Sequence, residues 1–336
     1  MTIIWISSSA CGNSDGADHE VDRMSPQSQL RFLVFAHVHY LDVWEAMASE
    51  LASSIKVPFG LVVTHCQAHS SIAKPDTPYL SYFQTILAEN RGRDVLPFLK
   101  ALSADLPDID LALKIHTKRS PHRSDGVDWR ASMTSSLLTS DEQGLIALQL
   151  LEHESRIGLI APAGHFLSLQ GRLTVNGRPM RKMTDVVLGS LPTDLETYRF
   201  PAGSMFWFRR SALTPFLKKE LEQQFATERG QLDGTAAHAA ERLFAVAVDS
   251  RGLIALGMEA VKPLLAEFVR KKHLPSSDIK HLVEEHAQAT DNSFVLPLAN
   301  HWRRYPVLFY MAHVAYNYLP RGVTRILRKL IQRFFQ

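Results

Sequence analysis

The 336-residue chain is 46% hydrophobic and 21% charged, ordinary globular usage that allows one large or two modest domains with a sizeable core. Its 37 Lys and Arg against 34 Asp and Glu leave a formal charge of only +3, so global charge offers no argument for nucleic acid as a partner. The two cysteines, Cys11 and Cys66, lie far apart without metal-type spacing; neither a disulfide framework nor a zinc site is expected, and a reducing cytosol fits.

The opening "MTIIWISSSACG" has a short apolar run without a basic segment before it, a poor signal peptide, and residues 1–28 read as a disordered leader with Met24 as an alternative start. "RFLVFAHV" reads as a buried strand, and "YLDVWEAMASELASS" as a helix through Leu41, Trp44, Met47 and Leu51. "FGLVVTHC" is a second strand, and "PYLSYFQTILAEN" reads as a short helical or mixed segment. "GRDVLPFLKALSADL" spaces Val95, Leu96, Leu99 and Leu102 as a helix, and "DLALKIH" follows as a strand. "RIGLIAPAG" and "GSMFWFRR" are further strands, with "SDEQGLIALQLLEHE" helical. Alternating strands and helices argue for an α/β domain with a mainly parallel sheet over residues 29–273. Near Leu274 the pattern changes, leaving 274–336 as a helical C-terminal extension.

Open α/β sheets bind ligands beyond the carboxyl ends of their strands. That singles out His37 and His39, Thr64 and His65, His116 to Ser120, and the segment after "GSMFWFRR". "ENRGRDVLPF" places Arg91, Gly92, Arg93 and Asp94 ahead of a helix, a pattern suited to a phosphate or ribose. The competing reading is a helix capped by Asp94 with solvated arginines. "KIHTKRSPHR" gathers Lys114, His116, Lys118, Arg119, His122 and Arg123, cations that could neutralise a diphosphate leaving group or simply form a basic loop. Asp108 and Asp110 form a literal D-x-D, but they precede their strand where a metal motif would follow it, and read instead as the turn into it. In "FPAGSMFWFRRSAL", Gly203 and Ser204 allow close approach of a sugar, and Phe206 and Trp207 could stack on one, although alternation sends at least one of the two into the core. "LDGTAAHAAERLF" sets Asp233 before a helix that carries His238 and Glu241; a carboxylate at a helix start stays ionised, as a general base must, but it could equally be a cap.

Taken in order, "NRGRDVLPFL", "KIHTKRS", "DWRASMTSSLL", "FPAGSMFWFRRSAL" and "ERGQLDGTAAHAAERLF" resemble the rhamnan synthesis F family of bacterial cell-wall rhamnan and O-antigen clusters, over about Arg31 to Leu253. The chain is also similar, more loosely, to inverting GT-A transferases through Asn90 and Gly92, then Gly203 with Arg209 and Arg210, then Asp233. These resemblances imply a GT-A-like, Rossmann-like glycosyltransferase of polysaccharide assembly, with rhamnose the associated sugar. The donor, a dTDP- or GDP-rhamnose-like nucleotide sugar, would be held by Asn90, Arg91, Arg93, Asp94, His116, Lys118, Gly203 and Ser204. Trp207 and His238 would meet the acceptor, and Asp233, with Glu241 as second choice, would deprotonate its hydroxyl for transfer with inversion. Where GT-A relatives carry metal-binding acids this chain has His116, Thr117 and Lys118; no cofactor is firmly expected, and a divalent metal is not expected there although room for one remains.

The segment from His301 carries Arg303, Arg304, Arg321, Arg325, Arg328, Lys329 and Arg333 with no Asp or Glu. After Pro320 an apolar stripe of Val323, Ile326, Leu327, Leu330, Ile331, Phe334 and Phe335 opposes those cations, the profile of a helix lying on anionic lipid. A lipid-linked glycan acceptor and a peripheral place at the cytoplasmic face of the inner membrane fit it. The alternative function is a non-catalytic polysaccharide-binding or scaffold subunit of a glycan assembly complex.

Overall fold

The computed structural model describes residues 30–66, 72–117, 126–173, 176–190, 192–227, 234–271 and 273–288, with positions 305, 307, 308, 311 and 323 beyond them. The leader, Lys118, Asp233 and almost all of the basic tail lie outside the described residues.

Seven strands form one sheet: β1 (Phe32–Val38), β2 (Phe59–His65), β3 (Leu80–Leu87), β4 (Leu111–His116), β5 (Ile157–Ala161), β6 (Phe206–Arg209) and β7 (Ile254–Gly257). Their order is β7-β5-β6-β4-β1-β2-β3. Every pairing is parallel except those of β6, which runs antiparallel to both β4 and β5. The helices are α1 (Leu41–Ser54), α2 (Val95–Leu102), α3 (Gly126–Leu137), α4 (Ile146–His153), α5 (Gly177–Val187), α6 (Ala236–Ser250), α7 (Val261–Arg270) and α8 (Ser276–Gln288). The fold is α/β and Rossmann-like, as the alternating pattern implies.

Strand alternation divides the core in two. On β1, Phe32, Val34, Ala36 and Val38 join the cluster under α1, α3, α4, α7 and α8. Leu33 and Phe35 join the cluster under α2, α5 and α6. Continuing the alternation puts His37 on the α2 and α6 side, and the same count from Ala112 along β4 puts Lys114 and His116 there too. That second cluster is rich in aromatic rings, with Phe98 meeting Phe35, Phe206, Phe208 and Phe244 edge to face at 5.5–6.3 Å, pairs worth roughly 0.5–1.5 kcal/mol each beyond area burial.

Two sequence expectations change here. "PYLSYFQTILAEN", read as helical or mixed, is the edge strand β3, whose half-exposed residues show no clean two-residue period and whose state is set by pairing with β2. Because β6 is antiparallel, the segment after "GSMFWFRR" emerges at the far end of the sheet. The amino end of β6, Gly203 to Met205, is what adjoins the carboxyl end of β4.

Candidate functional site

The strand order reverses at β1, with β2 and β3 to one side and β4 to the other, so the crevice of this sheet opens beyond the carboxyl ends of β1 and β4. There His37 is in register with Thr64 on β2 and His116 on β4.

Lys114 lies beneath that crevice at 1% exposure, a fully buried cation among the largest side chains of the core. Its ammonium donates to Asp94 Oδ2 at 2.8 Å, to the Ser204 carbonyl at 2.6 Å and to Ser204 Oγ at 2.8 Å, which uses all three of its donors. The rings of Phe98 and Phe206 flank it, with centroids 5.1 and 5.8 Å away. The sequence offers Asp94 as a helix cap, but its side chain makes no capping bond and its carboxylate is turned onto Lys114 instead. Lys114 therefore fastens two separate loops to the end of β4.

Both loops are left-handed. Gly92 and Arg93 have φ of 69° and 56°, and Gly203 and Ser204 have 89° and 59°. A residue with a side chain in that region costs about 1–2 kcal/mol, so Arg93 and Ser204 are held there by their surroundings. At Gly92 a Cβ would fall 2.5 Å from Leu96 Cβ, which leaves glycine the residue that fits.

The Gly203 peptide is clamped from both sides. Its N–H donates to Glu241 Oε1 at 2.6 Å, and its carbonyl accepts from His116 Nε2 at 2.7 Å. His116 Nε2 also lies 3.8 Å from Asp94 Oδ2. Arg93 reaches α6 through a 2.9 Å bond to His238 Nε2. A guanidinium only donates, so Nε2 accepts from Arg93, while Nδ1 lies 2.9 Å from Thr235 Oγ1 and 3.3 Å from the Thr235 N–H and closes the capping box of α6.

Six of the sequence-named positions, Arg93, Asp94, His116, Gly203, Ser204 and Glu241, thus meet at one end of the sheet, with His238 alongside. Others stand elsewhere. Arg91 turns away to Glu222 at 2.5 Å and Glu89 at 3.0 Å, and also donates to the Glu222 and Phe225 carbonyls, so it braces the 219–227 segment. Asn90 is exposed on the same loop. Trp207, read as a possible sugar platform, is fully buried against Phe32, and its indole N–H donates to the Leu137 carbonyl at 2.8 Å; strand alternation turns it into the other half of the core. Asp110 sits at the amino end of β4, where its carboxylate accepts from the Ser211 N–H and hydroxyl.

Sequence reasoning counts Lys114 among the cations that could neutralise a diphosphate but leaves it out of the donor set; its buried-period position inside "LALKIH" is the signal that marks the internal role the structure shows. It also passed over Thr117, whose hydroxyl accepts the N–H groups of His39 and Tyr40 at 2.9 and 3.1 Å and so ties the turn into α1 to the end of β4. His37 is buried, with Nδ1 on Thr64 Oγ1 at 2.9 Å. Burial pushes its imidazole down to about 3, against a smaller upward pull from the Asp94 carboxylate, so the ring is neutral at pH 7.

Residues 17–252 match the family model described as rhamnan synthesis protein F. The chain is also 40% identical over 166 residues to the "Uncharacterized protein WxcX" of two strains of Xanthomonas campestris pv. campestris. That alignment covers 49% of this chain and 24% of the relative, so the matched stretch spans about a quarter of those proteins' length.

Proposed function

The chain belongs to the rhamnan synthesis protein F family, whose role lies in polysaccharide synthesis, and we propose that it acts there as a glycosyltransferase carrying a nucleotide-activated deoxyhexose to a lipid-linked glycan. One observation carries the reading: two strained loops, Gly92 to Asp94 and Gly203 to Ser204, are locked together by Lys114 at the end of the sheet where α/β folds take ligands. Backbone strain held at such a place is characteristic of ligand sites.

The donor's diphosphate gains charge as the sugar leaves, and fixed donors in a water-poor crevice stabilise it most. Arg93 and His116, with Lys118 beyond the end of β4, are the groups suited to that task; Asp94 acts indirectly, by holding Lys114. The acceptor hydroxyl needs a carboxylate base. Glu241 already accepts the Gly203 N–H, which suits positioning, so Asp233, just before the α6 cap, is the better assignment. The basic, apolar tail would bring the enzyme to the anionic membrane surface where a lipid-linked acceptor resides. No described helix is long and apolar enough to cross a membrane.

Calorimetric titration with dTDP- and GDP-rhamnose, followed by transfer of labelled sugar to lipid-linked glycan, tests the reading. Binding and transfer are expected, with Asp233→Asn abolishing transfer while donor binding persists. A chain that binds no nucleotide sugar would be the scaffold subunit instead.

A further inference from the structure

We infer that the carboxyl ends of β1 and β2 form a site for one divalent transition-metal ion, zinc being the best match, with His37, His39 and Cys66 as ligands. The sequence offers no metal motif because the cysteine comes from a different strand from the two histidines. Parallel pairing removes that separation. His37 and Thr64 are register partners, and a two-residue period places His39 and Cys66 one step farther along the same face. Their ligand atoms all lie within 4.8 Å of one another. Tetrahedral bonds of about 2.0–2.3 Å set ligand atoms about 3.3–3.8 Å apart, so the ligand atoms close by about 1 Å on binding, a movement assigned to the half-buried His39 and Cys66 side chains.

The surroundings of His37 are those of a metal-bound histidine. A ligating imidazole has its second nitrogen held by a hydrogen bond that fixes the ring. His37 has that bond, from Nδ1 to Thr64 Oγ1 at 2.9 Å, which leaves Nε2 for the ion; no hydrogen bond occupies Nε2 among the described residues. The backbones of both histidines are tied to β4 through Thr117, whose N–H donates to the His37 carbonyl at 3.0 Å and whose hydroxyl accepts the His39 N–H. Two imidazoles and one thiolate select a borderline-soft ion over magnesium, calcium or manganese. As the ion binds, the Cys66 thiol gives its proton to solvent and the sulfur–metal bond forms. Three protein ligands leave a fourth position for water or another oxygen ligand, the pattern of an open rather than a closed zinc site. The site borders the crevice of the glycosyltransferase reading, since His37 is in register with His116, but it does not rest on that reading and uses none of Arg93, Asp94, Asp233 or Glu241.

The test is a titration of the full chain, carrying Cys11→Ser so that Cys66 is its one thiol, with cobalt(II) as the optical probe for zinc. One equivalent should bring up a near-ultraviolet sulfur-to-cobalt charge-transfer band and visible bands of a four-coordinate ion, both removed by added zinc. Cys66→Ser should abolish the charge-transfer band, and His39→Ala should weaken cobalt binding by at least about tenfold. Absence of the charge-transfer band in the Cys11→Ser chain would overturn the site, as would a band that His39→Ala leaves at full affinity. Nucleotide-sugar binding is measured separately, so each idea can fail without the other.

Discussion

Replacing Lys114 by methionine keeps the volume of the side chain and removes its charge. The Asp94 carboxylate, 4% exposed, would then be buried without its cation, and the Ser204 carbonyl and hydroxyl would lose their donor. Breaking a buried pair from one side costs about 3–5 kcal/mol. The strain held in Arg93 and Ser204 is about 2–4 kcal/mol if each contributes 1–2, so the pin is comparable to or larger than the strain it opposes. Lys114→Met should therefore lower the urea midpoint by about 1 M or more and release the Gly203–Ser204 turn. Pairing it with Asp94→Asn removes the stranded charge, and the double variant should be more stable than the sum of the two losses by at least about 1.5 kcal/mol. Urea unfolding followed by far-ultraviolet circular dichroism measures all four proteins. A loss below about 1 kcal/mol for Lys114→Met, or simple additivity in the cycle, would refute the pinning argument.

Arg93→Gly relieves a left-handed backbone but removes the link to His238, so stability should shift by less than about 1 kcal/mol while nucleotide-sugar affinity in calorimetry falls. Trp207→Ala should cost about 3–5 kcal/mol in thermal or urea unfolding, because the ring is core; an unchanged stability with weakened glycan binding would restore the stacking role. Glu154 is held below the ordinary carboxylate range, first by its bond to Arg156, and that guanidinium also reaches the Leu274 carbonyl. Its depressed folded value means stability is present above about pH 4.5 and is lost as pH falls through the folded pKa. Glu154→Gln should remove about 1 kcal/mol at pH 7, after allowance for solvent around Arg156, and flatten the acid limb of a stability–pH curve. Gly60→Ala would set a Cβ 2.6 Å from Leu33 Cδ2, and a lowered melting temperature without change in nucleotide-sugar affinity is expected.

Much of the architecture is local information. Apolar runs such as "RFLVFAHV" and "LALKIH" name their strands, helical spacing names α1 and α2, and the alternation of the two implies the α/β class. The strings that tie the chain to its family are likewise read directly from the residues. Periodicity reports which face of an element is buried; it carries no record of which strand lies beside it, or in which direction. Those are decided by hydrogen bonds between segments far apart in sequence, and the revisions around β6 and β4 follow from them. The reversal of β6 brings Gly203 and Ser204, rather than Arg209, to the crevice. The same pairing sends Trp207 into the core and leaves Lys114 facing Ser204 and Asp94. Parallel pairing of β1 with β2 sets Cys66 beside two histidines. The sequence by itself determined the elements and the chemical groups; the tertiary structure decided which groups meet, because partner and direction are properties of the sheet and not of any one strand.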